Sequence, residues 1–214
     1  MSIDVGQAVP DFTCIADDEN PRSLSAEAGK WVVVFFYPKA STPGCTTESK
    51  DFSALKGEFD ALNCTVWGCS TDSVRRQCNF RDKQGLTVPL LADEDQVVHA
   101  VFGTWQEKKN YGRTYMGTVR STFVVDPQGN LAAAWPKVRV KGHADDVLAK
   151  LDKARAGELQ NVLRDGGLVD KRREEAYQRL VQELQRGRFH EPLRNKSPGP
   201  YLYDSATLRV VKKA

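Results

Sequence analysis

Pro38-Lys39-Ala40-Ser41-Thr42-Pro43-Gly44-Cys45 is the stretch of this 214-residue sequence best suited to chemistry, because it delivers a thiol to the start of a helical pattern. The first turn of a helix has unpaired backbone N–H groups and the positive end of the helix dipole, so it favours an anion. Thiols so placed have pKa values lowered from about 8.5 into roughly the 3.5–7.5 range, which makes them nucleophilic thiolates at neutral pH. Thr42, three residues before Cys45, offers a hydroxyl either to the sulfur or to a substrate oxygen, the arrangement of an activated nucleophile. Two plainer readings stand beside this one: Cys45 as a small buried core thiol, and Thr42 as no more than a cap or turn residue. Glu48 lies in the same first turn, where an acid commonly just complements the helix dipole, and it is not counted as catalytic.

The elements that must hold these residues are legible on either side. Trp31 to Tyr37 is β-branched or aromatic throughout, as in a central strand buried on both faces. Phe52, Leu55, Phe59 and Leu62 then recur at helical spacing. Between strand and helix, two prolines stiffen the loop and Gly44 lets the backbone come close to a ligand. Upstream, Pro10 to Ala16 predicts a short strand and Asp17 to Pro21 a polar turn. Downstream, Thr65 to Ser70 predicts a second buried strand. Thr71-Asp72-Ser73 is a cap signal for a helix ending near Gln84, before Gly85. Val88 to Leu91 is a short segment, and Asp95 to Phe102 a short helix closed by Gly103. Residues 104–118 predict a loop or irregular hairpin. Ser121 to Val125 and Leu131 to Trp135 are strands around the turn Asp126-Pro127-Gln128-Gly129-Asn130. A last helix begins near Gly142 and turns Val147, Leu148 and Leu151 toward the sheet.

With Pro38, Thr42 and Cys45 in the pattern Pro-x-x-x-Thr/Ser-x-x-Cys, the sequence resembles the peroxiredoxins. Within them it is similar to the bacterioferritin comigratory protein (PrxQ) subfamily, through Phe36-Tyr37-Pro38-Lys39, Thr42-Pro43-Gly44-Cys45-Thr46-Thr47-Glu48 and Gly117 to Asp126. The resemblance runs from about Val9 to Leu151. It departs at Ala40-Ser41, where the subfamily more often has acidic residues. It implies a thioredoxin-like α/β fold opening with an N-terminal β-hairpin, and a thiol peroxidase that reduces hydrogen peroxide and organic hydroperoxides without metal or bound cofactor. Cys45 would be oxidised to a sulfenic acid and regenerated by thioredoxin or another thiol donor. Pro38 and Thr42 belong to the same catalytic pattern. Attack on an O–O bond puts negative charge on the departing oxygen, so a fixed cation near the sulfur accelerates it. The family pattern places Arg120 there; a lone arginine at a strand start would otherwise read as a surface residue.

The second thiol of the cycle is where the sequence departs most from the family. Many PrxQ-like proteins carry a resolving cysteine five residues after the reactive one, a position held here by Lys50. A second variant places it on the following helix. Cys78 lies on that helix, about one turn before the expected position near Arg81, and residues three apart share a helix face. A disulfide needs Cα atoms within roughly 7 Å, which requires local unwinding. The alternative is a one-cysteine enzyme.

Composition sets the remaining bounds. A net charge of +3 is too small to suggest nucleic acid, and no apolar stretch approaches the length of a membrane span. The N-terminus has no basic region followed by an apolar core, so a cytoplasmic protein is expected, with no membrane partner. Five cysteines, with no Cys-x-x-Cys and no histidine cluster, argue against a disulfide scaffold or zinc site and for a reducing compartment. Cys14, Cys64 and Cys69 read as structural. His99, His143 and His190 read as packing or solvated, and the four tryptophans as core or pocket rim. Residues 1–156 are expected to form the peroxiredoxin domain. Residues 157–214 form an extension with a helical face (Glu174, Tyr177, Leu180, Val181, Leu184) and a small hairpin around Asp204-Ser205. A structural or oligomerisation role is expected of it, in a monomer or a homodimer. A function of another class is a peroxide sensor, in which Cys45 oxidation alters a contact of that tail. A thiol–disulfide oxidoreductase is a weaker rival without Cys-x-x-Cys.

Overall fold

The computed structural model describes residues 3–110, 113–164, 201–204 and 209–212, in two compact units, 1–151 and 152–214. The first unit opens with an antiparallel hairpin of β1 (Thr13–Ile15) and β2 (Pro21–Ser23), in which Cys14 faces Arg22. The apolar run forms β3 (Trp31–Phe36), buried at every position. It is followed by α1 (Pro43–Ala54), α2 (Lys56–Ala61), β4 (Cys64–Ser70), α3 (Val74–Gln84), β5 (Leu90–Ala92) and α4 (Val97–Phe102). A hairpin of β6 (Trp105–Asn110) and β7 (Arg113–Thr118) precedes β8 (Ser121–Val125), β9 (Leu131–Trp135) and α5 (His143–Arg164).

The main sheet has the order β5-β4-β3-β8-β9, with β3, β4 and β5 parallel and β8 and β9 antiparallel. This is the thioredoxin-like α/β architecture expected from the sequence. β3 is central, so its alternating side chains serve two cores. Val32, Val34 and Phe36 pack with Phe12, Trp67, Phe102 and Phe123. On the other face Phe35 stacks on Phe52 of α1 at 4.4 Å, and Tyr37 meets Phe80 of α3 at 6.0 Å. Gly68 of β4 is small of necessity: a Cβ there would lie 2.7 Å from the Phe35 ring and 2.9 Å from Leu90.

Three features differ from the sequence reading. The helix carrying Phe52 to Leu62 breaks at Leu55, whose ψ of 2° leaves helical geometry. Phe52 and Phe59 are both fully buried, while Leu55 and Leu62 are only half-buried. Of the loop and the irregular hairpin expected there, a hairpin is found at residues 104–118, but a regular one: residues 105–110 and 113–118 form a ladder of six cross-strand pairs. The last helix continues to Arg164, past the expected boundary at 156, with Val147 and Leu151 fully buried and Leu148 half-buried. In the second unit, β10 (Tyr201–Asp204) and β11 (Arg209–Lys212) pair antiparallel, while the helical face of residues 171–186 lies outside the described residues. Among the described residues, no helix is long and apolar enough to cross a membrane.

Candidate active site

Local sequence places Cys45 at the third residue of α1. Thr42 is the N-cap, with extended backbone (φ −90°, ψ 154°). Pro43 follows at the first helical position, where its missing N–H leaves nothing unpaired. Gly44 lies beside Arg120: a Cβ there would make ordinary contact with its Nη2 at 3.5 Å. The Thr42 hydroxyl makes no cap hydrogen bond; it donates to the Lys39 carbonyl at 3.0 Å. That leaves its oxygen lone pairs free to accept from a substrate O–H. Pro38 is exposed and directly follows buried Tyr37, the first residue after β3.

Arg120 lies between β7 and β8, with its backbone carbonyl held by the N–H of Val138 at 2.9 Å. Its guanidinium forks between two groups on one face of α1. Nη2 donates to Cys45 Sγ at 3.1 Å, and Nη1 pairs with the Glu48 carboxylate. Cys45 is only 1 % exposed, so the cation and the sulfur meet where water screens them little. Glu48 is equally buried, and its second oxygen, Oε1, has no partner. Burial pushes its carboxyl up from 4.5 to about 7, against the pull of Arg120. A fixed guanidinium beside a helix-terminal sulfur can stabilise a thiolate and then the charge that develops on a peroxide as its O–O bond breaks.

The structure thus brings Cys45 and Arg120 together as expected and adds Glu48, which the sequence alone presents as a dipole-complementing acid. The spacing Cys45 to Glu48, three residues on one helix face, was the available signal. Cys78 is half-buried on α3 and engaged elsewhere: Arg81 Nη2 donates to its sulfur at 3.5 Å, and the thiol meets Asp82 at 3.6 Å. All five cysteines are free thiols, and Cys14, Cys64 and Cys69 are buried, in keeping with structural roles.

Two histidines expected merely to pack or be solvated are instead buried hydrogen-bond centres. His99 Nδ1 lies 2.6 Å from Asp93, and its Nε2 lies 2.9 Å from the Thr118 hydroxyl. His143 Nε2 lies 2.8 Å from the Thr122 hydroxyl, and burial lowers its pKa. Cys69, Asp93 and His99 offer ligand atoms within 4.8 Å of one another. Asp93 is already committed to the backbone N–H groups of Val98 and His99, and both ring nitrogens of His99 are engaged, so the cluster is satisfied by its own hydrogen bonds.

Comparison with known proteins places this geometry. The AhpC/TSA family model matches residues 5–134. Peroxiredoxin Bcp of Xanthomonas campestris is 50% identical over 129 residues, covering 60% of this chain and 81% of that protein. Peroxiredoxin Bcp of Bacillus subtilis is 40% identical over 151 residues, covering 71% and 96%. Among solved structures, the bacterioferritin comigratory protein of X. campestris superposes with a TM-score of 0.66 at 43% identity, covering 71% of this chain and 96% of that one. A cysteine-to-serine mutant of PrxQ from Xylella fastidiosa gives 0.68 at 35% identity, covering 72% and 98%. The chain belongs to the AhpC/TSA family and, within it, to the peroxiredoxins of the bacterioferritin comigratory protein (PrxQ) type, and it is a thiol-dependent peroxidase.

Proposed function

We propose that Cys45 is the nucleophile, with Arg120, Thr42 and Pro38 completing the catalytic loop. The contact of 3.1 Å between Arg120 Nη2 and Cys45 Sγ carries this assignment. The thiolate attacks the nearer peroxide oxygen of ROOH. An S–O bond forms to the terminal oxygen, which keeps its proton, and the O–O bond breaks; RO⁻ takes a proton from water and leaves as ROH, so the sulfur is oxidised by two electrons to a sulfenic acid. Arg120 balances negative charge first on the sulfur and then on the peroxide oxygens. Thr42 accepts the peroxide O–H through its free lone pairs, and Pro38 fixes the direction in which the loop leaves β3.

The substrates are hydrogen peroxide and organic hydroperoxides. Alkyl peroxide reduction is an activity of the structurally similar X. campestris bacterioferritin comigratory protein, which supports the second class. Cys78 resolves the sulfenic acid: its thiolate attacks Cys45 sulfur, water leaves and a disulfide forms, which thioredoxin reduces by thiol exchange. Five cysteines without a Cys-x-x-Cys pair support a reducing, cytoplasmic setting. Residues 157–214 add a structural or oligomerisation element to the peroxidase domain, as a monomer or as a homodimer. Truncation after Arg164, which leaves α5 whole, should change molecular size or thermal stability; neither changing would refute that role.

The deciding experiment is peroxide consumption by the intact protein, supplied with thioredoxin in one arm and dithiothreitol in another. Many turnovers per chain in both arms are expected. Turnover with dithiothreitol alone would exclude thioredoxin as donor, and a single equivalent consumed in both arms would indicate a sensor.

A further inference from the structure

The loop between β3 and α1 must hold Thr42 in register with Cys45, yet it lies outside the sheet and contains a left-handed residue, Ser41, with φ +65°. A non-glycine residue keeps such a conformation only where its surroundings impose it. At the residue before Ser41 the loop is anchored by Asp72, at the turn after β4. The Ala40 N–H donates to Asp72 Oδ2 at 2.6 Å, in a buried bond across 32 positions of chain.

The same oxygen accepts from the Ser70 hydroxyl at 2.8 Å, and Ser70 Oγ accepts in turn from Gln77 Nε2 at 2.9 Å. Gln77 Oε1 accepts the Tyr37 hydroxyl at 2.5 Å, and its amide also donates to the Leu91 carbonyl at 2.9 Å. Tyr37, Ser70 and Gln77 are fully buried. Tyr37 at the start of the loop and Ala40 in its middle are therefore tied to the segment from Ser70 to Gln77 by one hydrogen-bonded chain. In such a setting each bond is strong and each loss leaves a buried group unpaired. Asp72 Oδ1 points the other way, to half-exposed Arg76 at 3.1 Å. The acid that reads as part of a helix cap is thus spent on the loop: Ser73 holds the N-cap of α3 without a side-chain cap bond.

We propose that Asp72 is a positioning residue for peroxide reduction, acting through Ala40 to fix where Thr42 presents its oxygen. The inference rests on the reading of Thr42 as a peroxide contact. Asp72 bonds to Ala40, Ser70 and Arg76 rather than to Cys45 or Arg120. It therefore serves the alignment of peroxide and leaves the activation of the thiolate to Arg120. Those two roles separate experimentally, because iodoacetamide needs only the thiolate whereas peroxide needs the aligned loop as well.

The test measures, for full-length protein, the rate of Cys45 oxidation by hydrogen peroxide and the rate of Cys45 alkylation by iodoacetamide, followed on the Cys45 peptide by mass spectrometry. Asp72→Ala should slow oxidation by about 10- to 100-fold, the scale of a reacting group misplaced by an ångström, and leave alkylation within about twofold. Asp72→Asn, whose amide oxygen can occupy the Oδ2 position, should recover most of the rate, and Arg76→Ala should match the wild type. If Asp72→Ala does not fold, Asp72→Glu keeps the charge, displaces the acceptor by one methylene and carries the same expectation. Oxidation unchanged in Asp72→Ala while Thr42→Val is slow would overturn the inference alone. Equal slowing of oxidation and alkylation, or an Asp72→Asn variant as slow as Asp72→Ala, would also overturn it. An unhindered Thr42→Val would overturn the reading of Thr42 and the inference with it.

Discussion

Arg120 Nη2 stands 3.1 Å from Cys45 Sγ although 75 positions separate the two residues. Strand pairing makes the contact. β3 and β8 lie antiparallel with Phe36 opposite Ser121, so the chain leaves β3 toward α1 at the same sheet edge where it enters β8. Arg120, one residue before that strand, meets the helix that begins after the other.

The first prediction follows from that contact. Cys45→Ser should abolish peroxide turnover, and Arg120→Ala should lower kcat/KM for hydrogen peroxide by about 10²-fold or more, as expected when a preorganised charge is removed. Arg120→Lys keeps a charge but cannot fork between Cys45 and Glu48, so it should fall between wild type and Arg120→Ala. Competition for peroxide against a haem peroxidase gives these rates. Substantial turnover in Cys45→Ser would refute the assignment.

Glu48 sets a pH dependence of stability. Its carboxyl is raised from 4.5 to about 7 by burial, so the folded chain binds a proton there that the unfolded chain releases. The associated stabilisation is complete below pH 4.5 and is lost as pH rises through about 7. Glu48→Gln has no such titration. The unfolding free energy of the wild type, measured against that variant in urea, should therefore decline by roughly 3 kcal/mol between pH 4.5 and 8. A difference that stays flat, or grows with pH, would contradict the raised value.

Cys78 offers a chemical test. One equivalent of peroxide should yield an intramolecular Cys45–Cys78 disulfide, found by peptide mass mapping without reduction. Cys78→Ser should lose thioredoxin-supported turnover and overoxidise more readily to the sulfinic acid. Unaltered turnover and unaltered resistance to overoxidation in that variant would identify a one-cysteine cycle instead.

Gly68 tests the core beneath the site. Gly68→Ala would put a methyl group 2.7 Å from Phe35 and 2.9 Å from Leu90, so one of two fully buried side chains must move. Overpacking of this kind costs about 1–3 kcal/mol, to be read from the urea midpoint at unchanged slope. A midpoint equal to that of the wild type would show that the sheet yields there.

What the sequence by itself determined is what short-range chemistry encodes. The unbroken run of β-branched and aromatic residues makes Trp31–Phe36 a buried strand. Pro43 and Gly44 start a helix after Thr42 and so place the Cys45 thiol in its first turn. Asp126 to Asn130 turns β8 into β9, and Gly85 ends α3 in a left-handed conformation at φ 64°. The Pro-x-x-x-Thr-x-x-Cys pattern, through its resemblance to the peroxiredoxins, is what makes Cys45 the proposed nucleophile. Tertiary structure alone decided which groups surround that thiol. Residue spacing states a helix face but not what lies opposite, so Glu48 became a partner of Arg120 only once β8 paired with β3. Asp72 reads equally well as a cap and as a loop anchor, and the approach of Ala40 chose between them. His99, on a short amphipathic helix, reads as packing or solvated, and only Asp93 and Thr118, which engage both its nitrogens, decide for a buried role. In each case the deciding energy is burial or hydrogen bonding between segments distant in the chain, and local propensity is too weak to oppose it.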